Sequence, residues 1–498
     1  MASAETVRRW VRSHGLLILL LAASIARLWL MPLPSSFWTD ETGTFFVVHH
    51  PHDPSLAVAP QVPASIYYAL PRVAESILGF SEADYRVPSV ILMAVALFII
   101  GRLAARLIEP EAAWFAVFTC FVIANFNFYA ADARPYALGI CVTAASLWFL
   151  IDWFDTARWR SAALFLAFAA LLWRVHLAFW AFYPVFLIYA AVRLYRATTR
   201  VTRTHALLVG LVLIVALLPV AFDALRLLRN GQSHVIVPLP GIRSWLYSFP
   251  WKTIAWFAGL GWVAARLLKW PRRKTASSDA LVLIAAAWIV MPLCLFAWSR
   301  LTGTVLFVPR YFSPALPGTA LAATAVAAFW LPRSCWKPAA VALAIIGLIW
   351  MGRWNIRWPQ HGADDWRQAA AIVNTRTEEP DTPVLAVSPF IEAQPPAWTP
   401  DYSLPGFLYA PLSVYPVQGR IYPFPFTISP EAERDAAGLL RNTLARRHRF
   451  VIYGSGPNVL SWAGWFSQRQ ELAQWKRTDT SADVVLVVVF ENPAGSAQ

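Results

Sequence analysis

Runs of about 20 mostly apolar residues recur along this chain, and that is the length an α-helix needs to cross the hydrocarbon core of a bilayer. About eleven such runs can be read, at roughly 15–33, 86–108, 112–131, 135–154, 160–173, 177–196, 205–227, 250–268, 279–299, 310–331 and 337–353. The composition agrees, because 58% of the 498 residues are hydrophobic and only 14% are charged, too apolar for a large soluble protein. The expected fold class is therefore a polytopic α-helical membrane protein. The 26 tryptophans suit the two interfacial belts, where an apolar ring with one polar edge is at home.

The formal net charge is +14, and the basic residues fall into alternate loops. Arg102 and Arg106 share one side with Arg158 and Arg160, with Arg193, Arg196, Arg200 and Arg203, with Arg266, Lys269, Arg272, Arg273 and Lys274, and with Arg333 and Lys337. The first loop on the other side, 34–85, is acidic, with Asp40, Glu41, Asp53, Glu75, Glu82 and Asp84. The bias places the N-terminus in the cytoplasm and the acidic loop outside, at the inner (plasma) membrane. Arg8, Arg9 and Arg12 precede the first run, and no A-x-A-like site closes it, so it reads as an uncleaved span. No basic helix with base-reading residues and no zinc-finger spacing points to nucleic acid. Cys120, Cys141, Cys294 and Cys335 lie in or beside apolar runs and read as small buried hydrophobes.

Past residue 358 the pattern changes. "DDWRQAAAIV" reads as a helix capped by Asp364 or Asp365, "ISPEAERDAAGLLRN" as a helix with Ser429 as N-cap and Pro430 at its first position, and "RFVIYGSG" and "ADVVLVVVFE" as buried strands. The expected organisation is a transmembrane domain over 1–358 and an extracytoplasmic α/β domain over 359–498. The Pro- and aromatic-rich stretch 392–426 reads as an extended loop.

Charges at a membrane edge are costly unless solvated or paired, which marks them as functional candidates. "WTDET" puts Asp40 and Glu41 after the first span, "YAADARPYAL" puts Asp132, Arg134 and Tyr136 between the third and fourth, and "VPRYFSPALPG" puts Arg310 and Tyr311 at the tenth. "WRVHLAFW" adds Arg174 and His176 in a short outer turn. Each has a plainer reading: a helix cap for Asp40 and Glu41, a snorkelling pair for Asp132 and Arg134, an interfacial anchor for Arg310, a structural turn residue for His176. Together on one side they would form a pocket of acids and arginines at the bilayer surface. That suits a lipid phosphate, with a carboxylate as general base and arginine forks on the leaving phosphate.

These motifs resemble the GT-C superfamily of polytopic glycosyltransferases, in particular bacterial relatives of protein O-mannosyltransferases and lipid A aminoarabinose transferases. "WTDET" is similar to the family's Asp-Glu motif, "YAADARPYAL" to its acidic-x-Arg-x-Tyr-Ala-Leu pattern, "PRYFSPALPG" to its late Arg-Tyr-x-x-Pro pattern, and "DDWRQAAAIV" to the entry into its outer domain. The resemblance covers about residues 10–375. It implies a polyprenyl-phosphate sugar donor, a hydroxyl acceptor (protein, lipid A or surface glycan) and inverting transfer on the outer face. It makes Asp40 the base, Glu41 its support or an acceptor contact, Asp132 a second acid, and Arg134, Arg310 and Tyr311 donor-phosphate contacts, with Tyr67, Tyr68, Tyr136 and His176 as further pocket candidates. Gln61 and Val62 depart from the basic residue and proline of many relatives, while Pro63, Tyr67 and Tyr68 match. Some relatives use a divalent cation; the hard oxygens visible here would suit Mg²⁺ or Mn²⁺, and no metal is assigned. The competing readings are a transporter or flippase of lipid-linked sugars and a non-enzymatic surface-assembly protein.

Overall fold

The computed structural model describes residues 4–493 apart from 60, 61, 63, 231–237, 250, 274, 275, 353–357, 378 and 379, and the side chains of 4–13 and 226–230 also lie outside the description. Gln61, Pro63 and Lys274, and the side chains of Arg8, Arg9 and Arg12, therefore fall outside the described residues.

All eleven apolar runs are largely helical over their described residues. Six helical segments are long and apolar enough to cross a membrane: Glu82–Leu107, Tyr136–Thr156, Leu177–Tyr195, Arg203–Leu225, Ser278–Thr302 and Arg333–Gly352. A seventh span results if Pro110–Phe121 and Ala124–Ala130, bent by 79°, count as one. The runs at 160–173 and 250–268 form shorter helices, Trp159–Val175 and Trp251–Leu267. The chain is a multi-pass membrane protein, and six or seven of the helical segments among the described residues are by themselves long and apolar enough for a full crossing. Tyr136–Thr156 is the central helix, packed between Trp159–Val175 and Glu82–Leu107. Gly318 lets two spans touch, since a Cβ there would lie 2.4 Å from the backbone of Ala287. All four cysteines are free, Cys120 and Cys141 buried.

Ion pairs lock one membrane end. Glu109 accepts from Arg273 at 2.8 Å, Arg333 at 3.1 Å and the Trp336 indole at 2.5 Å. Asp155 pairs with Arg193 at 2.8 Å, and Asp279 with Arg196 at 2.7 Å. Several of the arginines counted as loop charge are thus also clasps between helices.

The opposite end carries the long first loop and the α/β domain. The domain holds a five-stranded sheet of β1 (Pro383–Val387), β2 (Arg420–Phe424), β3 (Arg449–Ser455), β4 (Lys476–Ala482) and β5 (Val485–Glu491), in the order β2-β1-β3-β5-β4. β1 runs parallel to β2 and β3, while β5 runs antiparallel to β3 and β4. Parallel strands are covered on both faces, which is why β1 is buried throughout and reads as an unbroken apolar run. Ser429 caps the helix Pro430–Asn442 by accepting from Ala432 N, and Asp365, not Asp364, caps Trp366–Arg376. The stretch 392–426 is not wholly loop: it holds a short helix, Ala410–Val414, and the edge strand β2. Pro423 within β2 argued against a strand, but proline is tolerated where one side of a strand has no partner.

The domain packs on the first loop. Asp364 accepts from the Thr39 amide at 3.0 Å and its hydroxyl at 2.7 Å. Arg367 and the Tyr415 hydroxyl both donate to Glu82, and Ser55 Oγ accepts from the Phe407 amide at 2.8 Å. Phe407 and Phe390 lie against Gly43 in van der Waals contact.

Candidate active site

The site is built on the helix Thr39–His49, which begins directly after the first apolar run. Successive residues on an α-helix point about 100° apart, so the two adjacent acids serve different surroundings. Asp40 keeps 18% of its side chain exposed. Its Oδ2 accepts from Arg310 Nη1 at 2.7 Å and lies 3.9 Å from Arg134 Nη2. Arg134 also donates to the Asp40 carbonyl at 3.1 Å, so one guanidinium fixes both backbone and side chain.

Glu41 points inward and is fully buried. Arg86 grips it through two charge-assisted bonds, Nε to Oε1 at 2.8 Å and Nη2 to Oε2. The amides of Ala133 (2.7 Å) and Trp38 (3.3 Å) complete its shell. Burial opposes ionisation of Glu41, and the Arg86 charge and hydrogen bonds overcome it, holding the carboxyl below its ordinary range. The bond to Trp38 N also makes Glu41 part of the helix cap, so the plainer reading of this motif holds for one of its two acids.

Asp132 sits between the helix Ala124–Ala130 and the central helix and is fully buried. Its Oδ1 accepts from the Trp38 indole at 3.0 Å and lies 3.4 Å from His361 Nε2. Burial raises its pKa, the Glu41 charge adds to that, and His361 and Trp38 reduce it. Asp132 Oδ2, Arg134 Nε and the Tyr136 hydroxyl are buried with no hydrogen-bond partner among the described residues. Such atoms are costly to leave unpaired.

The other expected residues gather here as well. Tyr311 lies against His176 with ring centroids 4.7 Å apart and planes tilted by 44°, and His176 lies 6.3 Å from the Tyr136 ring. His176 Nδ1 accepts from the Ala178 amide; burial and the Arg134 and Arg310 charges push its pKa down to about 3, so it is a neutral wall and not a proton carrier near neutral pH. Tyr67 and Tyr68 are buried edge to face at 5.6 Å, Tyr67 near Asp132 and Tyr68 near Arg134. Arg174 is exposed and makes no ion pair among the described residues.

Three residues escaped the motif reading. Arg86 looks like a stray charge opening an apolar run, and only its place one helical turn after Glu82 hints at a role. His361 lies just beyond the last apolar run with no spacing signal. Glu392 of the α/β domain lies near enough to Asp40 and Arg310 to feel both charges: burial and then Asp40 raise its pKa, and Arg310 lowers it.

Ligand atoms of Glu41, Asp132 and His361 lie within 4.8 Å of one another. A divalent ion fits poorly there, because each Glu41 oxygen already accepts two hydrogen bonds and its charge is matched by Arg86. That leaves one carboxylate and one imidazole, too few donors for a hard cation.

The family model of dolichyl-phosphate-mannose-protein mannosyltransferases matches residues 63–222, a stretch containing Tyr67, Asp132, Arg134 and His176 but neither Asp40 nor Arg310. The crystal structure of ArnT from Cupriavidus metallidurans in the apo state is similar with a TM-score of 0.55, at 12% identity over 96% of this chain and 98% of that one. ArnT from the same organism bound to undecaprenyl phosphate gives 0.53, at 13% identity over the same shares. No curated protein matches the chain. At these identities the likeness is one of fold, and it runs nearly end to end: the architecture is of the GT-C type that the motifs suggested.

Proposed function

We propose that the chain is a membrane glycosyltransferase that moves a sugar from a polyprenyl-phosphate donor to a hydroxyl acceptor on the outer face, with inversion. The donor class rests on the fold shared with an ArnT that binds undecaprenyl phosphate and on the mannosyltransferase match. The observation that carries the reading is Asp40, partly exposed and clasped by Arg310 and Arg134 beside unpartnered buried polar atoms. A transporter would keep such charges near the bilayer midplane. Here they gather where helices end.

The acceptor hydroxyl attacks the anomeric carbon and forms the new glycosidic bond. Asp40 takes the hydroxyl proton as the old carbon–oxygen bond to phosphate breaks. The electron pair leaves on the phosphate oxygen, and Arg310 and Arg134 stabilise that charge. A phosphate entering beside these arginines shares their donors and loosens their hold on Asp40, so donor binding prepares the base. Tyr311 and Tyr136 would flank the phosphate, Asp132 would orient the sugar, and residues 359–498, with Glu392, would cover the acceptor side of the transferase domain 1–358.

Purified protein incubated with radiolabelled polyprenyl-phosphate sugar and a membrane extract should move label onto an acceptor; label that only crosses the bilayer would favour transport. Arg310→Ala should weaken donor binding about 10- to 100-fold, the worth of one lost charge-assisted hydrogen bond. Donor titration by ligand-induced thermal shift measures this. An unchanged dissociation constant would move the phosphate away from Arg310.

The orientation proposed is N-terminus cytoplasmic, α/β domain outside. Ser461→Cys, on an exposed helix position of that domain, should react with an impermeant maleimide in intact cells. Labelling only after lysis would reverse the topology.

A further inference from the structure

We propose that the membrane end opposite the active site holds a dedicated binding site for the phosphate headgroup of an anionic lipid. A cavity of about 420 Å³ opens there, walled by Trp262, Trp270 and Trp330 and lined by Arg266, Lys269 and Arg272. Arg310 and Trp330 fix its location, since they bracket the helix Leu316–Ala328 at its two ends.

The chain builds this cavity by local rules. The helix Trp251–Leu267 ends in a reversal at Lys269, whose φ of 51° is the left-handed conformation common at helix ends. The Trp270 amide then donates to Ala265 O at 2.9 Å, and the Arg273 amide to Phe329 O at 2.9 Å, joining the reversal to the end of the neighbouring helix. Gly261 lets Trp330 lie close, since a Cβ there would come within 2.9 Å of its ring.

Charge pairing and position together set this cluster apart, since Arg102, Arg158, Arg160 and Arg200 at this end also lack a carboxylate partner among the described residues but do not line the cavity. Arg106, Arg193, Arg196, Arg273 and Arg333, at the same membrane end, each pair with an Asp or Glu. Arg266, Lys269 and Arg272 pair with no carboxylate among the described residues, and no acid lines the cavity. Instead Arg266 lies over Trp262 at 5.6 Å and Arg272 over Trp330 at 5.0 Å, contacts that hold a guanidinium in place without neutralising it. Three unneutralised cations converging between tryptophans at the interfacial level fit a lipid phosphate: the arginine forks take its oxygens, and the indoles flank the glycerol and first methylenes.

The test titrates the full-length protein in neutral detergent with phosphatidylglycerol, phosphatidylcholine or inorganic phosphate and counts retained molecules by native mass spectrometry. Phosphatidylglycerol should half-saturate at a concentration roughly tenfold or more below phosphatidylcholine. The R266Q/K269Q/R272Q variant should lose that preference. The matched R158Q/R160Q/R200Q variant, which removes three charges at the same end but away from the cavity, should keep it. Trp330→Leu should weaken retention with no change in charge. Equal loss in both triple variants would reduce the effect to diffuse surface charge and overturn the proposal. So would equal retention of the two lipids, or retention of inorganic phosphate in place of lipid. Sugar transfer is not the readout, so the result stands apart from the assignment of Asp40.

Discussion

Asp40→Asn should lower turnover by roughly 10²–10⁴-fold, the range supplied by a positioned general base, while the protein stays folded and still binds donor. The substitution keeps the shape of the side chain and one acceptor oxygen for Arg310, so little packing is disturbed. What goes is the charge proposed to receive the acceptor proton. Donor affinity should hold or rise slightly, because Arg310 and Arg134 no longer share themselves between a carboxylate and a phosphate. This separates the residue from Arg310, whose loss acts on donor binding. Single-turnover transfer with saturating labelled donor gives the rate, and thermal-shift titration gives the affinity. A stable Asp40→Asn protein with near wild-type transfer would rule out the assignment and move the base to Asp132 or Glu392, the remaining carboxyls near the pocket.

The membrane helices were legible because one physical requirement, about 20 apolar residues per crossing, leaves a long uninterrupted signal. How many runs make a full crossing was less so: Trp159–Val175 and Trp251–Leu267 are only 17 residues each, and the break after Phe121 bends a single apolar run by 79°. In the α/β domain the buried strands β3 and β5 stood out as apolar stretches. The edge strands β2 and β4 did not, since an edge may carry proline or polar residues; "KRTDTSA" alternates nothing apolar. At the candidate site the sequence marked residues that sit in short motifs, and the fold brings Asp40, Arg134, Tyr136, Arg310 and Tyr311 together. It could not mark partners defined only by the fold. Arg86 meets Glu41 across 45 residues of chain, and His361 meets Asp132 across 229. Nor could it divide labour between Asp40 and Glu41, which depends on where a helix starts and which way each residue then points.

That division makes Glu41 and Arg86 the larger risk to the fold. Both side chains are fully buried, and Arg86 also donates to the carbonyls of Leu33 (2.7 Å), Ser35 (2.8 Å) and Ser36 (3.0 Å), tying the turn after the first span to the start of the next. Removing one member of a buried ion pair leaves the other uncompensated and costs about 3–5 kcal/mol. A domain's whole stability is only about 5–15 kcal/mol, so Arg86→Leu should sharply lower the yield of folded protein and its thermal midpoint in detergent. Glu41→Gln should be milder but still clearly destabilising, because its new amide donor is forced against a guanidinium that cannot accept. The loss is one of charge, and its pH dependence has a fixed sign. The Glu41 carboxyl is held below its ordinary range, so its contribution is complete above the unfolded-state pKa and falls away only as pH drops toward the lowered folded value. Wild type and Glu41→Gln should therefore differ most at neutral pH and converge in strong acid. The double variant Glu41→Gln with Arg86→Gln should be less damaged than the two single losses sum to, since no bare charge remains. It should not recover fully, because the three carbonyls keep a weaker partner. A Glu41→Gln protein as stable as wild type but without transfer activity would place Glu41 in the chemistry instead of beneath it.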